Sequence, residues 1–271
     1  MVIPDNWPWL LSGGIVSGIL AGLLGIGGGT ILVPILVALG IQAVPAVATS
    51  SLAILITSIS GSVQNWRMGQ LDLKRVIYLG FPALLTAQLG VYLAEQVKSK
   101  PYILLGLFGV LLLVNIYLVD LKQRLTAQLN QNLNNPDRKP ERTFNPVLSK
   151  LVTGSLAGVL AGFFGVGGGV IMVPLQLLLL KEPIKLAIQT SLGVVMITAI
   201  SACIGHGLRG NVLVIQGMIL GAGGLLGTQL STRLLPKLPD PVVSLMFRAF
   251  LSLLSIYTFW QAWEKYWAVG G

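Results

Sequence analysis

The sequence predicts an all-helical, polytopic integral membrane protein made of two homologous halves. Each half holds about four membrane segments, and the first segment of each is broken at three consecutive glycines. Three observations predict this. Hydrophobic residues make up 54% of the 271 and charged residues only 10%, too little polar surface to cover a soluble globule. The apolar residues fall in runs long enough to cross a hydrocarbon core of about 30 Å. Finally, Gly18-Ile-Leu-Ala-Gly22-Leu-Leu-Gly25-Ile-Gly27-Gly28-Gly29-Thr30-Ile-Leu-Val-Pro34 returns 140 positions later as Gly158-Val-Leu-Ala-Gly162-Phe-Phe-Gly165-Val-Gly167-Gly168-Gly169-Val170-Ile-Met-Val-Pro174, with 11 of 17 residues identical.

Taken in order, the apolar stretches of the first half lie at about 10–24, 31–40, 47–64, 75–94 and 101–119. Those of the second half lie at about 148–164, 170–180, 186–205, 212–232 and 241–260. The echo extends beyond the glycine motif. Thr49-Ser50-Ser51-Leu52 is set against Gln189-Thr190-Ser191-Leu192, Gln88-Leu89 against Gln229-Leu230, and Ile116-Tyr117 against Ile256-Tyr257. Small-residue series at Gly14, Gly18, Gly22 and at Gly154, Gly158, Gly162 pave one face of a helix, the device by which membrane helices approach closely. The chain divides into a first transmembrane repeat (1–120), a polar linker (121–146) rich in Asn and Gln and holding Pro136, Pro140 and Pro146, and a second repeat (147–271). Met1 to Trp9 has no basic region and leads straight into the first apolar run, so no removable signal peptide is expected.

Residues 10–40 are too many for one straight crossing, so each break either offsets two pieces of one span or folds them back. Full crossings give parallel repeats and divide Lys plus Arg 11 to 6 between the two faces, with Arg248 left out. Re-entrant hairpins give inverted repeats and a 13 to 4 division, which the positive-inside rule favours. Both place the linker, with Lys122, Arg124, Arg138, Lys139, Arg142 and Lys150, in the cytoplasm.

A break inside lipid exposes backbone groups that must face protein or a wet cavity. Matched breaks in two halves of a membrane protein mark a transporter's substrate site. A helix restarting at Thr30 or Val170 offers free amides and the positive end of its dipole, an anion site without a cationic side chain. Gly27, Gly28, Gly29 and Gly167, Gly168, Gly169 allow close approach of the ligand. Two such ends meeting near the midplane hold a small anion on a pseudo-twofold axis, with Thr49, Ser50, Ser51, Gln189, Thr190 and Ser191 at its edges. Soluble glycine loops are excluded by spacing: G-x-G-x-x-G fails at Thr30, and no Gly-Lys-Ser/Thr follows.

Both copies of Gly-x-x-x-Gly-x-x-Gly-x-Gly-Gly-Gly-x-x-x-Val-Pro resemble the signature of the sulfite exporter TauE/SafE family of membrane transport proteins. The resemblance covers nearly the whole chain, including Gly69-Gln-Leu-Asp72 and Gly210-Asn-Val. It implies a multi-pass carrier of the plasma (inner) membrane moving sulfite, sulfonates or related small sulfur-containing anions. Val170 departs from Thr30, so a hydroxyl is available at this position in one half only.

His206, the only histidine, falls where an apolar segment meets a short turn near Arg209; it reads first as a wet cap and second as a proton-coupling group. Arg248 sits inside the last apolar run and reads as a snorkelling or structural residue before an anion attractor. Gln88 and Gln229 read as interhelical glue. One cysteine, Cys203, permits neither an intrachain disulfide nor a multi-cysteine metal site. No nucleic-acid partner is expected, because the basic residues lie mainly between apolar segments rather than in a stripe, and neither a metal nor a cofactor is expected. The competing readings are a passive anion channel and a structural membrane protein. An intramembrane enzyme lacks candidates, since the acidic residues are confined to segment ends and loops.

Overall fold

The computed structural model describes residues 4, 6–98, 101–131 and 146–270. They form ten α-helices and no strand: α1 Trp7–Leu24, α2 Gly29–Ala38, α3 Ala43–Arg67, α4 Leu73–Gln96, α5 Pro101–Gln131, α6 Pro146–Phe164, α7 Gly169–Leu179, α8 Ile184–Gly207, α9 Val214–Leu234 and α10 Asp240–Gly270. A 3-10 turn, Leu235–Lys237, follows α9. Eight helices are long and apolar enough to cross a membrane, while α2 and α7 are shorter. The linker begins as helix, because α5 continues to Gln131; residues 132–145 lie outside the described residues.

The helix ends follow local chemistry. Asp72 opens α4 by accepting hydrogen bonds from the amides of Lys74 (3.0 Å) and Arg75 (3.3 Å), satisfying two donors that a helix start leaves unpaired. α1 ends at Gly25 and α6 at Gly165, both at positive φ, and α2 and α7 begin after Gly28 and Gly168, also at positive φ. Glycine adopts this left-handed backbone without the cost a β-carbon imposes.

α2 runs back beside α1 rather than continuing it. Ser17 in α1 bonds the Gly28 carbonyl (2.9 Å), and a β-carbon on Gly13 would lie 3.3 Å from Ile35. In the second half Gly168 likewise lies against Ala157 of α6.

The helix pairs interlock the halves. Gly14, Gly18 and Gly22 of α1 face Leu220, Gly224 and Ser231 of α9, with register advancing together, so these helices are parallel. Gly154, Gly158 and Gly162 of α6 face Leu79, Ala83 and Ala87 of α4 in the same sense. The glycine series thus serve the packing expected of them, and the backbones meet so closely that no β-carbon fits. α3 and α8 cross antiparallel at the centre, Gly61 of the one meeting Leu192 of the other. α5 and α10 pair antiparallel to one side, with Tyr102 edge-on to Tyr266 (5.5 Å) and Gly109 against Phe259.

Outward, α4 presents Ile77, Phe81, Leu85 and Leu89, an exposed apolar stripe at helical spacing. Trp7, Trp9 and Trp66 are exposed near helix ends, and Trp260, Trp263 and Trp267 are exposed along the last third of α10, rings of the amphipathic kind that membrane proteins place at the interface.

Candidate functional site: the paired glycine breaks

The two breaks meet. A β-carbon on Gly29 would strike the carbonyl of Gly165 and the backbone of Val166, and one on Gly169 would strike the carbonyl of Gly25 and the backbone of Ile26. Residues 25–29 and 165–169 are all buried, so neither break faces lipid. Gly25, Gly27 and Gly28 have φ of 70°, 72° and 81°, and Gly165, Gly167 and Gly168 have 64°, 73° and 76°. The same unusual backbone is therefore built twice.

α3 and α8 hold the breaks in mirrored fashion. Ser50 donates to the Gly165 carbonyl (2.7 Å) and Ser191 to the Gly25 carbonyl (2.6 Å). The matched pair is thus Ser50 with Ser191, 141 positions apart, which moves by one residue the alignment of Thr49–Leu52 with Gln189–Leu192. The cause is α7, which has 11 residues where α2 has 10. Thr198 adds a bond to the Gly167 carbonyl (2.9 Å), and Ser17 the bond to Gly28.

Ile54 of α3 and Val195 of α8 reach Gly27 and Gly167 alike and fill the space between the breaks. Each lies 11 residues into its helix, about 16 Å along the axis and near its midpoint. The void expected between the glycine breaks is therefore occupied by two apolar side chains. They escaped sequence reading because an Ile or Val within an apolar run carries no signal of its own.

Among the described residues no acceptor meets the amides of Gly29 or Thr30 at the start of α2. The Thr30 hydroxyl is fully buried without a partner, as is that of Thr190 in α8, while Val170 fills the position equivalent to Thr30. Buried polar groups are normally paired, so each of these marks a place where a polar ligand is admissible.

The other expected residues are dispersed. Thr49 accepts a bond from the Leu213 amide (3.0 Å), and Ser51 bonds back to Val47 of its own helix (3.0 Å). Gln189 donates to Gln70 (2.7 Å) beside a cavity of about 490 Å³ that does not reach the breaks. His206 is fully buried rather than a wet cap; its Nε2 lies 3.0 Å from the Gly162 carbonyl, three residues before the second break, and its Nδ1 has no partner. Arg248 faces Asp120 of α5 across 3.7 Å. Gln88 donates to Ser201 (2.9 Å) and Gln229 to Ser60 (3.1 Å), a mirrored pair of interhelical ties.

Comparison with known proteins gives a consistent result. The family described as sulfite exporter TauE/SafE matches residues 10–258. The probable membrane transporter protein YunE of Bacillus subtilis is 24% identical over 89% of this chain and 93% of its own length. A probable membrane transporter protein of Methanocaldococcus jannaschii is 30% identical over 73% and 72%, and one of Xylella fastidiosa is 28% identical over 94% and 95%. No solved structure matches. With nearly its full length matched and its breaks built as a buried pair, the chain belongs to the sulfite exporter TauE/SafE family of membrane transporters.

Proposed function

We propose that this transporter carries small sulfur-containing anions, sulfite or sulfonates, by alternating access, with the anion held between the paired glycine breaks. The single observation that carries this reading is the meeting of the two breaks, the amino end of α2 against Gly165–Val166 and that of α7 against Gly25–Ile26, with the first amides of both helices unpaired among the described residues and the Thr30 hydroxyl unpartnered beside one of them. Helix amino ends attract negative charge, and low surrounding polarity strengthens the attraction. In the state described here Ile54 and Val195 close the space between the breaks, so binding needs these two side chains to part. Rocking of α3 against α8 supplies that movement and presents the site to one side at a time.

The same reading makes the repeats inverted, each with a re-entrant hairpin and three crossings. In its support, α2 returns along α1, and every contact pair fits this order: α1 runs with α9, α6 with α4, and α3 against α8. The family's name supports a sulfur anion, and export suits an anion leaving a negatively charged interior. A thermal-shift screen of purified protein against sulfite, sulfate, thiosulfate, sulfoacetate and taurine tests the ligand class: the anions raise the melting temperature and zwitterionic taurine does not. Labelled sulfite flux in proteoliposomes tests the mode. Saturation and counterflow support a carrier, and linear flux without counterflow identifies a channel instead.

A further inference from the structure

The 141-residue equivalence lets the two ends of the molecule be compared position by position, and they are not alike. At the end where α4, α8 and α10 begin, a cavity of about 490 Å³ is lined by Gln70, Lys185, Leu186, Gln189 and Pro236, with Asp72 at its rim. Gln189 is buried and donates to the Gln70 side-chain carbonyl (2.7 Å), while the amide nitrogen of Gln70, which lines the cavity, meets no protein acceptor among the described residues. Lys185 lies 3.3 Å from Asp240 and 3.2 Å from the Pro236 carbonyl; its partner carboxylate is half exposed, so this tie is weak and exchangeable. The Asp72 carboxylate is occupied by the amides of Lys74 and Arg75 and by the Arg75 guanidinium (3.1 Å). Facing the cavity are one ammonium, amide donors and the Asp72 carboxylate, the last held by its own helix start and by Arg75.

At the opposite end the equivalent positions of Gln70, Lys185, Gln189 and Pro236 are Asn211, Val44, Ala48 and Glu95. Here Lys98 bonds Glu95 (2.8 Å) and the Asn211 carbonyl oxygen (3.0 Å), and Asn211 donates to the other Glu95 oxygen (2.9 Å). This closed ring of three bonds ties the end of α4 to the turn before α9. Ala48, the counterpart of Gln189, is fully buried at this end, where its neighbour Thr49 accepts from the Leu213 amide two residues beyond Asn211. One end offers donors around an open cavity, and the other has a carboxylate and an ammonium locked together at the same position.

We propose that the cavity is the mouth at which a small oxyanion first binds, with Lys185 Nζ and the amides of Gln70 and Gln189 as donors, and that the Glu95–Lys98–Asn211 ring latches the equivalent mouth on the other side. The proposal rests on the transport reading but is tested without measuring transport. Single cysteines are placed at Leu186, lining the cavity, and at Ala48, buried at the end the ring closes, in a Cys203→Ser background. Each protein in lipid nanodiscs, with both faces reachable, is treated with a sulfonate-bearing and a quaternary-ammonium-bearing methanethiosulfonate reagent, the rates normalised to a free thiol.

Leu186→Cys reacts, preferring the sulfonate reagent by on the order of ten-fold, and Lys185→Gln brings this preference close to one. Ala48→Cys is inert, and Glu95→Gln with Lys98→Gln makes it reactive; Val44→Cys, also buried and one turn nearer that mouth, serves if Ala48→Cys does not fold. A cavity thiol that prefers the cationic reagent, that does not react, or whose preference survives Lys185→Gln overturns the mouth. A thiol at the ring's end that stays inert once the ring is broken overturns the latch. If the sulfonate preference holds and proteoliposomes carry no anion, the transport reading fails and the binding mouth stands.

Discussion

Ser50 and Ser191 each satisfy a carbonyl that a broken helix leaves without a partner at the centre of the molecule. Replacing either by alanine strands a buried carbonyl, and a loss of about 1–3 kcal/mol is expected in detergent unfolding. Ser51→Ala removes only a bond back to its own helix and is expected to cost under about 1 kcal/mol. Equal losses at the three positions contradict the assignment. Glu182, in the turn between α7 and α8, is a different case. Burial holds its carboxyl above the usual carboxylate range of about 4.5, and the Arg75 guanidinium at 3.0 Å opposes this without cancelling it. A raised folded pKa means stability that is fully present below the unfolded value and is lost as pH rises through the folded one. Glu182→Gln, which stays neutral, is therefore expected to gain in melting temperature relative to the wild type as pH climbs from about 4.5. A gain by the wild type over the same range would show the ion pair to be dominant.

At the scale of the helix, packing depends on the glycine series. Gly18→Ala puts a β-carbon into the Gly224 carbonyl, and Gly158→Ala puts one into that of Ala83. Each is expected to lose about 1–3 kcal/mol or to move α1 from α9 and α6 from α4. Gly106→Ala, where nothing lies within 4 Å, is expected to be neutral or to gain up to about 1 kcal/mol. Thermal unfolding of the three variants side by side checks this. The glycine faces, the breaks and the helical runs were legible in the sequence because small residues at i, i+4 and three glycines in a row have few other uses in an apolar segment. The pairing partners were not legible. Nothing in Gly14 or Gly18 says that they meet the other half at Leu220 and Gly224, since that contact is set by topology. The serine register slipped by one because the insertion in α7 falls among apolar residues that align equally well either way.

For the whole molecule, the order of the repeats sets where the chain ends lie. Inverted repeats place both chain ends on the face opposite the linker, and parallel repeats place all three on the same face. A phosphatase fused after Gly271 is expected to be active only outside the cytoplasmic membrane, and activity confined to the cytoplasm contradicts the inverted order. The positive-inside count favours inversion, and the return of α2 along α1 is the arrangement that a re-entrant hairpin over residues 10–40 would need. What sequence could not show is that the breaks close on each other over Ile54 and Val195, because the filling of a void is a property of the assembled state.

In the proposed mechanism the paired breaks bind the anion through backbone amides. The most direct measurement of this binding is a sulfite titration of protein labelled with 15N-glycine and 15N-threonine in nanodiscs, followed by the amide shifts of the assigned residues. Saturable shifts concentrated at Gly28, Gly29, Thr30, Gly168 and Gly169 are expected. Saturable binding with those five amides unmoved, the shifts lying elsewhere, would contradict the mechanism.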